Sequence, residues 1–459
     1  MSLSLQKALR VKSSPAIAFI GSGGKTSAML QLAGELPSPV MVTATTHMGV
    51  WQTDLADKHI MTDSPAPIEE LEHGLNGVIL VTGEIDGERT KPVSAELLNW
   101  LHQFCGYHAI PLLIEADGSR QKPLKAWADH EPPIPAFVEQ VVEVVGLSGI
   151  GKSLGAENVH RPEIYSTLSG LGMGETITAE AVMHVLLQEV GGLKNIPPNA
   201  RISVLLNQAD TPELQSMGRT MAHALLAKFD SVVVSSLKEK EIYAVHEPVA
   251  GIVLAAGESS RFGEPKQLLD WKGQPFVRAV AKTALEAGLS PVLVVTGANA
   301  GKVEDVLSDL PVKIVRNEEW QEGQASSIRA GVRTLTPASS STSPSLSVRS
   351  ARMDKECGAA IFLLVDQPQL TTTVLRALVE SHAAELQAVL APMVQDQRSN
   401  PVLFDRVAFA DLLTLQGDVG GRGIFHKHRV EYLPWHDDRL LLDVDTPDMY
   451  QRLITDDTL

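Results

Sequence analysis

The sequence predicts a two-domain α/β protein in which each domain has a mostly parallel sheet flanked by helices. Short apolar runs alternate with polar or helical stretches through both halves of the chain, as in buried parallel strands joined by crossover helices. The length of 459 residues exceeds what one ordinary hydrophobic core covers. Hydrophobic residues make up 44% of the chain and charged residues 20%, so two sizeable cores can form.

The order of the apolar runs gives the expected strands and the domain boundary. In the first half these runs cover residues 16–20, 40–43, 77–82, 111–115, 141–145, 202–207 and 231–235. A charged segment at 238–241 precedes a new apolar run at 249–254, after which the alternation restarts. We therefore expect domains over residues 1–245 and 249–459. Within the second, residues 336–350 are dominated by Ser, Thr and Pro, which predicts a flexible surface insertion.

Charge, cysteine content and hydropathy exclude several classes of protein. The chain has 39 Lys and Arg against 55 Asp and Glu, a net charge of −16, which argues against nucleic acid or an anionic membrane as a partner. Its two cysteines, Cys105 and Cys357, are far apart and form no metal-binding or disulfide pattern. No apolar run reaches membrane-span length, and the N-terminus lacks a signal-peptide core. We therefore expect a cytoplasmic protein that acts on small molecules.

A glycine-rich loop follows the first apolar run of the second half. It reads Gly251-Ile-Val-Leu-Ala-Ala-Gly257-Glu-Ser-Ser-Arg261-Phe-Gly263-Glu-Pro-Lys266. Glycines let backbone N–H groups approach a triphosphate, and Arg261 and Lys266 can neutralise it. The alternative is a strand-to-helix turn with surface cations. In the first interpretation the nucleotide-binding part of the loop comprises Leu254, Ala255, Ala256 and Gly257.

Two aspartates end apolar runs in the C-terminal half. Asp366 follows the run at 359–365, and Asp445 follows the run at 440–444. Open α/β sheets bind ligands at the carboxyl ends of their strands, where these side chains would lie. Mg²⁺ prefers one or two carboxylates together with phosphate oxygens and water, so Asp366 and Asp445 are the expected metal ligands. A turn or a helix cap is the alternative for both residues and for Asp443.

The C-terminal motifs resemble the signature of the molybdenum cofactor cytidylyltransferases, the MocA-like branch of the molybdopterin nucleotidyltransferases. The resemblance covers nearly all of residues 249–459. Besides Leu254-Ala-Ala-Gly257 with Arg261, Gly263 and Lys266, it follows the segments 323–327, 364–368, 400–401, 417–422 and 443–447 in family order. It implies a Rossmann-like nucleotidyltransferase fold, with Arg261, Lys266 and Asp366 as catalytic residues. It also implies Mg²⁺ as cofactor, with CTP and molybdopterin or molybdenum-molybdopterin as substrates.

The same resemblance assigns roles that local chemistry leaves open. Ser326 and Ser327 would read the nucleobase, whereas local chemistry favours a helix N-cap equally. GTP-using relatives have glycine at the position of Ala256 and threonine at that of Gln367, so the residues here imply CTP. Residues on the pterin-substrate side would be Asn400, Pro401, Asp418, Gly420 and Arg422.

Two segments of the N-terminal half match phosphate-loop patterns. Residues 146–153 satisfy the complete G-x-x-x-x-G-K-S pattern, whereas residues 21–26 have a shorter form. The shorter form precedes an amphipathic helical stretch whose N-terminal amides could hold phosphate. Gly155 and Pro162 interrupt any helix after the longer form. We therefore expect a P-loop-like domain whose phosphate-binding residues are Gly21, Gly24, Lys25 and Thr26.

Polar residues follow two other expected strands of this half. Glu115 and Asp117 close the run at 111–114 as Walker-B-like acids would, with a strand-end turn as the alternative. Asn207-Gln-Ala-Asp210 is similar to the N-x-x-D element with which GTPases read guanine. Gln208 stands where that element has lysine, so the choice of base remains open.

These N-terminal motifs resemble the YqeC-like family, described as accessory factors of selenium-dependent molybdenum hydroxylases. The resemblance spans most of residues 10–235 and includes the segments 115–119, 122–125, 130–132 and 160–163. It implies a nucleotide-binding accessory domain, either a kinase or GTPase-like switch or a docking module. We interpret His130 and His160 as structural rather than as metal or substrate contacts.

Together, the two halves predict a cytidylyltransferase fused to an accessory domain. The terminal phosphate of molybdopterin would attack the α-phosphorus of CTP and release pyrophosphate, in the maturation of a molybdenum hydroxylase. An apo-hydroxylase is the expected protein partner. The alternatives are transfer of CMP or UMP to another phosphorylated small molecule, and a non-catalytic chaperone for the cofactor.

Overall fold

The protein is described by a computed structural model covering residues 3–12, 14–71, 74–258, 262, 264–336 and 356–455. The chain divides into two compact units, Met1–His246 and Glu247–Leu459. Each unit has a mostly parallel sheet flanked by helices, so the predicted fold class is confirmed. Apart from Thr336, the expected insertion lies outside the described residues. None of the helices in the described part combines the length and apolarity that a membrane span requires.

The first unit contains every strand predicted from its apolar runs. Its strands are β1 Ala16–Gly21, β2 Val40–Ala44, β3 Met48–Gly49, β4 Lys58–Met61, β5 Val78–Thr82, β6 Ile85–Asp86, β7 Arg89–Thr90, β8 Leu112–Glu115, β9 Leu124–Lys125, β10 Gln140–Gly146, β11 Val159–His160, β12 Arg201–Asn207, β13 Ser231–Ser236 and β14 Glu241–His246. Its helices are α1 Leu5–Ala8, α2 Lys25–Glu35, α3 Ala66–Glu69, α4 Ala95–Tyr107, α5 Pro162–Ser169, α6 Ala179–Leu186 and α7 Pro212–Leu225.

The main sheet of the first unit has nine strands in the order β14-β13-β12-β10-β1-β8-β2-β5-β4. All neighbours pair in parallel except β13 and the edge strand β14. The strand order reverses beside β1, because the chain moves to one side for β2 and later returns to the other side for β10. A reversal of this kind opens a crevice at the carboxyl ends of the central strands.

The second unit has a smaller sheet with one internal antiparallel strand. Its strands are β15 Val249–Ala255, β16 Asp270–Trp271, β17 Gln274–Pro275, β18 Val292–Thr296, β19 Lys313–Arg316, β20 Ala359–Leu364, β21 Val389–Val394, β22 Gln397–Arg398, β23 Val402–Asp405 and β24 Val430–Pro434. Its helices are α8 Phe276–Glu286, α9 Ala300–Asp305, α10 Gln324–Leu335, α11 Thr372–Glu385, α12 Phe409–Leu412 and α13 Pro447–Thr455.

Strand β15 lies near the centre of this second sheet. The order is β19-β18-β15-β20-β23-β21-β22, with β24 pairing β21. Strands β18 and β20 flank β15 in parallel, and β23 runs antiparallel to β20. Two separate hydrophobic clusters contain the apolar side chains of this unit. The carboxyl ends of β15, β18 and β20 therefore meet at one edge, where the loops carry the predicted site.

Candidate functional site

The glycine loop after β15 is held from beneath by a buried glutamine. Gln267 is 1% exposed, and its Nε2 donates to the carbonyl oxygens of Ala255 at 3.2 Å and Gly257 at 2.6 Å. Leu254 is half-buried, Ala255 is buried and Gly257 is exposed with open space where a Cβ would stand. Sequence analysis missed Gln267, because a single polar residue carries no periodic signal. The predicted Arg261 lies outside the described residues.

A second loop packs closely against the glycine loop at Ala256. The backbone N–H of Ala298 donates to the Ala256 carbonyl at 3.1 Å. A Cβ added to Gly297 would lie 2.6 Å from the Ala256 carbonyl oxygen and 2.8 Å from both the Ala256 and Trp320 Cβ atoms. Only glycine fits at position 297 without displacing its neighbours. The Ala256 methyl group therefore lies at the junction of the loops after β15 and β18.

Three predicted residues converge at the carboxyl end of β20. The Lys266 ammonium donates to Asp366 Oδ2 at 3.2 Å, to Asp445 Oδ1 at 2.9 Å and to the Val444 carbonyl at 2.8 Å. The Val444 N–H in turn donates to the Asp366 carbonyl at 3.1 Å. Lys266 thus bridges the two aspartates. Its expected neutralisation of a triphosphate stays a prediction.

The donor set at this position fits a divalent cation. Asp366 Oδ1 is buried and accepts no hydrogen bond within the described residues. Burial, aided by repulsion from Asp445, raises the pKa of Asp366 even though Lys266 acts in the opposite direction. Burial and then repulsion from Asp366 and Asp445 raise the pKa of Asp443 to about 6. Three carboxyl groups thus crowd around one ammonium, and a bound cation would relieve their repulsion.

Gln367 contacts the acidic segment at 440–445. It is 2% exposed, and its Nε2 donates to Asp443 Oδ1 at 2.8 Å and to the Leu440 carbonyl at 3.2 Å. Gln369 similarly donates to the carbonyls of Arg439 at 3.0 Å and Leu442 at 2.7 Å. These contacts indicate a positioning role for Gln367, and its selection of the base stays a prediction. A buried amide needs partners, and the irregular segment that carries Asp443 offers them.

Ser326 and Ser327 also point inward. They are 1% and 5% exposed, and Asn317 Nδ2 donates to their hydroxyl oxygens at 2.8 and 3.0 Å. The Ser326 hydroxyl donates to the Gly323 carbonyl at 2.8 Å. These contacts tie the start of α10 to the loop after β19, and the reading of a base by these hydroxyls stays a prediction. Asn317, which sequence analysis missed, organises this turn.

The residues expected to bind the pterin substrate lie in two separate segments, at 400–401 and at 417–422. Asp418 Oδ1 accepts from the Gln324 N–H at 3.2 Å, and a Cβ on Gly323 would meet the Asp418 nitrogen at 2.7 Å. Asp418 thus acts at the N-terminus of α10, where a carboxylate is favourable. Asn400 is followed by Pro401 and then β23, and the Asn400 carbonyl accepts from Ser399 Oγ at 3.1 Å.

The loop at 417–422 also contains Gly420, which packs against α10, and one exposed cation. A Cβ on Gly420 would lie 2.8 Å from Gln324 Oε1, so the loop approaches α10 closely. Arg422 is exposed. Ser399 connects Asn400 to the segment that begins at Leu440, since its hydroxyl also donates to the Leu440 carbonyl.

In the first unit, the short glycine pattern forms a turn between β1 and α2. Gly21, Gly23 and Gly24 have φ of 91°, 80° and 123°, a region that favours glycine. The Lys25 ammonium donates to the Gly21 carbonyl at 2.8 Å, and the Thr26 hydroxyl donates to Glu115 Oε2 at 2.8 Å. No α-helix follows Ser153 in the described chain until α5 begins, so only the segment 21–26 precedes a helix directly.

Asp117 is the centre of a buried charge network below this turn. It is 0% exposed and accepts from the Gly21 N–H at 2.9 Å, Lys125 Nζ at 2.8 Å and Trp127 Nε1 at 2.9 Å. Lys25 lies 3.1 Å from its other oxygen. Burial alone would raise the pKa of Asp117, but the two lysines outweigh it and lower this pKa. Lys125 and Trp127 were not among the predicted site residues.

His130 and His160 lie in different environments. His130 is exposed, and His160 lies in β11, where its carbonyl accepts from the Ala126 N–H at 3.0 Å. Burial, followed by the positive charges of Arg161 and Lys125, lowers the pKa of His160 to about 4. Its imidazole is therefore neutral at physiological pH.

The parallel sheet, the glycine loop after its central strand and the acidic cluster beside it define the second unit as an α/β nucleotidyltransferase. Comparison with known families agrees. Residues 251–432 match the MobA-like NTP transferase domain, and residues 17–163 match the YqeC protein family. The chain belongs to the MobA-like NTP transferases and carries a YqeC domain at its N-terminus.

Individual relatives each match part of the chain. Nicotine blue oxidoreductase of Paenarthrobacter nicotinovorans is 32% identical over 219 residues, 45% of this chain and 96% of that protein. Uncharacterized protein YqeC of Escherichia coli K12 is 29% identical over 199 residues, 42% of this chain and 75% of that protein. A probable molybdenum cofactor guanylyltransferase of Bacillus cereus Q1 is 43% identical over 63 residues, 14% of this chain and 31% of that protein.

Proposed function

We propose that the second unit transfers CMP from CTP to the terminal phosphate of molybdopterin, or of its molybdenum form. A phosphate oxygen attacks the α-phosphorus, the bond to the β-phosphate breaks, and pyrophosphate leaves. The product, molybdopterin cytosine dinucleotide, would serve a molybdenum hydroxylase. The observation that carries the proposal is the cluster of Lys266, Asp366 and Asp445 beside an open glycine loop.

This cluster suits a reaction that depends on positioning and charge. Nucleotidyl transfer needs little covalent chemistry from the protein. Asp366 and Asp445 would hold Mg²⁺, which when bound offsets negative charge on phosphate oxygens. Lys266 follows the glycine loop in sequence and contacts both acids, so a triphosphate bound at that loop would compete with the two carboxylates for its ammonium group. Gln367 positions Asp443 within the same cluster.

The choice of CTP is supported by Ala256 and by the resemblance to cytidylyltransferases. The Ala256 methyl group lies beside Gly297 and Trp320, where a glycine would leave more space for a base. Pyrimidines need less space than purines. GTP is the competing nucleotide to test, because one relative is described as a guanylyltransferase.

The test is product analysis with the full chain, Mg²⁺, molybdopterin and each of the four ribonucleotides. We expect a CMP adduct and pyrophosphate from CTP. Asp366→Asn should lower turnover by roughly 100-fold or more while the protein stays folded, since an amide keeps the shape but not the charge. Asp305→Asn, an exposed position on α9, is the control and should retain activity.

Each outcome has a distinct meaning. A GMP adduct formed in preference to the CMP adduct would refute the choice of base but retain the transferase. No adduct from any nucleotide with folded protein would refute the function. Near-normal turnover of Asp366→Asn at saturating Mg²⁺ would refute the metal assignment.

A further inference from the structure

The glycine turn at 21–26 of the first unit has no part in the reaction proposed for the second unit. Burial would lower the pKa of Lys25, yet Asp117 and Glu115 raise it, so its ammonium stays charged at 4% exposure. Gln52 Nε2 donates to the Thr26 hydroxyl at 2.7 Å, alongside the Thr26 bond to Glu115. A hydroxyl paired with a strand-end acid is the arrangement with which P-loop enzymes hold the Mg²⁺ of a nucleotide.

One oxygen of a buried carboxyl group beside the same turn accepts no hydrogen bond from the described residues. Glu143 is 1% exposed, and its Oε2 has no hydrogen-bond partner among the described residues. Its Oε1 would lie 2.6 Å from a Cβ on Gly21, so the carboxyl group is directed at the glycine turn. Glu143 and Ser22 also line one small cavity. An unpartnered polar group at this depth is costly unless a ligand or water completes it.

One side-chain amide connects the turn to the ends of two further strands. Asn207, at the end of β12, donates from Nδ2 to the Gly23 carbonyl at 2.7 Å and accepts from the Leu237 N–H at 3.0 Å. A Cβ on Gly24 would lie 2.5 Å from Asn207 Nδ2, so only glycine allows this contact. Asn207 thereby fixes the loops after β12 and β13 relative to the glycine turn at 21–26.

The residues beyond Asn207 present an oriented carboxylate. Asp210 is exposed, and its Oδ1 accepts from the hydroxyl of the buried Ser236 at 2.6 Å. Gln208 accepts from Ser148 Oγ at 2.5 Å and lies where any side chain on Gly146 would collide with it. The glycine that opens the longer phosphate-loop pattern is thus explained by close packing.

We propose that the first unit binds a guanine nucleotide, with Lys25 and Thr26 at the phosphates and Asp210 as the base-reading residue. Guanine presents two adjacent donors, N1–H and the 2-amino group, which the two oxygens of one carboxylate can accept together. Adenine instead directs the N1 lone pair at such a carboxylate. The site is independent of the reaction proposed for the second unit.

The test is calorimetric titration of the full chain with GDP or ADP in the presence of Mg²⁺. We expect GDP to bind about 10- to 100-fold more tightly than ADP, as a charge-assisted pair of hydrogen bonds allows. Lys25→Ala should remove this binding. Lys152→Ala, an exposed lysine in the other glycine pattern, is the matched control and should retain it.

A change of preference distinguishes base reading from a structural role. Asp210→Asn should lose the preference for GDP and favour xanthosine diphosphate, because xanthine has a carbonyl where guanine has its amino group. Thermal unfolding of this variant checks that it is folded. Equal binding of GDP and ADP by the wild type, or an unchanged preference in folded Asp210→Asn, would overturn the proposal. Binding of GDP that survives Lys25→Ala but is lost in Lys266→Ala would place it in the second unit and also overturn the proposal.

Discussion

Replacement of Gln367 tests whether this residue positions Asp443 or reads the nucleobase. Gln367→Met keeps an unbranched side chain of similar size but removes the donor to Asp443 and Leu440. The Leu440 carbonyl keeps the Ser399 hydroxyl as a partner, so the main loss is the bond to Asp443. A hydrogen bond to a charged group contributes ~1.5–3 kcal/mol, and we take about 1.5 kcal/mol because Asp443 is partly exposed.

The matched control is Gln369→Met. Gln369 holds the same segment through two backbone carbonyls, and the loss of both bonds costs about 2 kcal/mol. The two variants should therefore unfold at similar urea concentrations. Only Gln367→Met should lose turnover, by about tenfold if the 1.5 kcal/mol appears in the barrier. Asp443, the carboxylate partner of Gln367, lies beside the proposed metal ligands, whereas Gln369 binds only backbone carbonyls.

Base discrimination decides between the two interpretations of Gln367. The ratio of kcat/KM values for CTP and GTP should stay unchanged in both glutamine variants. Ala256→Gly should instead move the ratio toward GTP by about tenfold, since it removes one methyl group beside the position proposed for the base. A changed ratio in Gln367→Met, with turnover of CTP preserved, would refute the positioning role and restore the base-reading role.

Two further predictions concern buried charge. Lys125→Met removes one of the two buried ammonium groups beside Asp117, while Lys25 still lies 3.1 Å from that carboxylate and Arg161 still pairs with Glu131. The loss should therefore cost about 3 kcal/mol in urea unfolding, the lower end of what breaking a buried ion pair costs; equal stability of this variant and the exposed Lys152→Met would contradict it. The carboxyl of Asp443 has a folded-state pKa of about 6 against 3.8 for the ordinary group, so the metal-free protein should lose stability as pH rises through this window. Asp443→Asn should reduce that slope in urea unfolding with EDTA present, and an unaltered slope would count against the assigned pKa.

Local sequence patterns were sufficient to predict the fold class and the main strands. A strand buried on both faces is mostly apolar, so β1, β10 and β12 can be recognised as apolar runs, although Glu143 interrupts β10 and Ser203 interrupts β12. Glycine loops that follow such runs can also be recognised from the sequence, because glycine is the residue that readily adopts the positive φ angles of these turns. The same reasoning preferred the segment 21–26 over 146–153, since only the former is followed by helix-forming residues.

Side-chain partners could not be predicted in this way. Lys266 lies 179 positions from Asp445, Gln367 lies 76 from Asp443, and Asn207 lies 184 from Gly23. A glutamine or asparagine can bind a base, a carboxylate or a backbone carbonyl, and its neighbours in sequence do not distinguish these partners.

What the sequence determined by itself was the location of the strands and of the loops that follow them. The tertiary structure alone decided which groups those loops bring together: Gln367 with Asp443, the serines of α10 with Asn317, and Asn207 with the glycine turn at 21–26. The physical reason is that hydrophobic burial acts along the period of each element, whereas a buried polar group must find its partner wherever the folded chain places one.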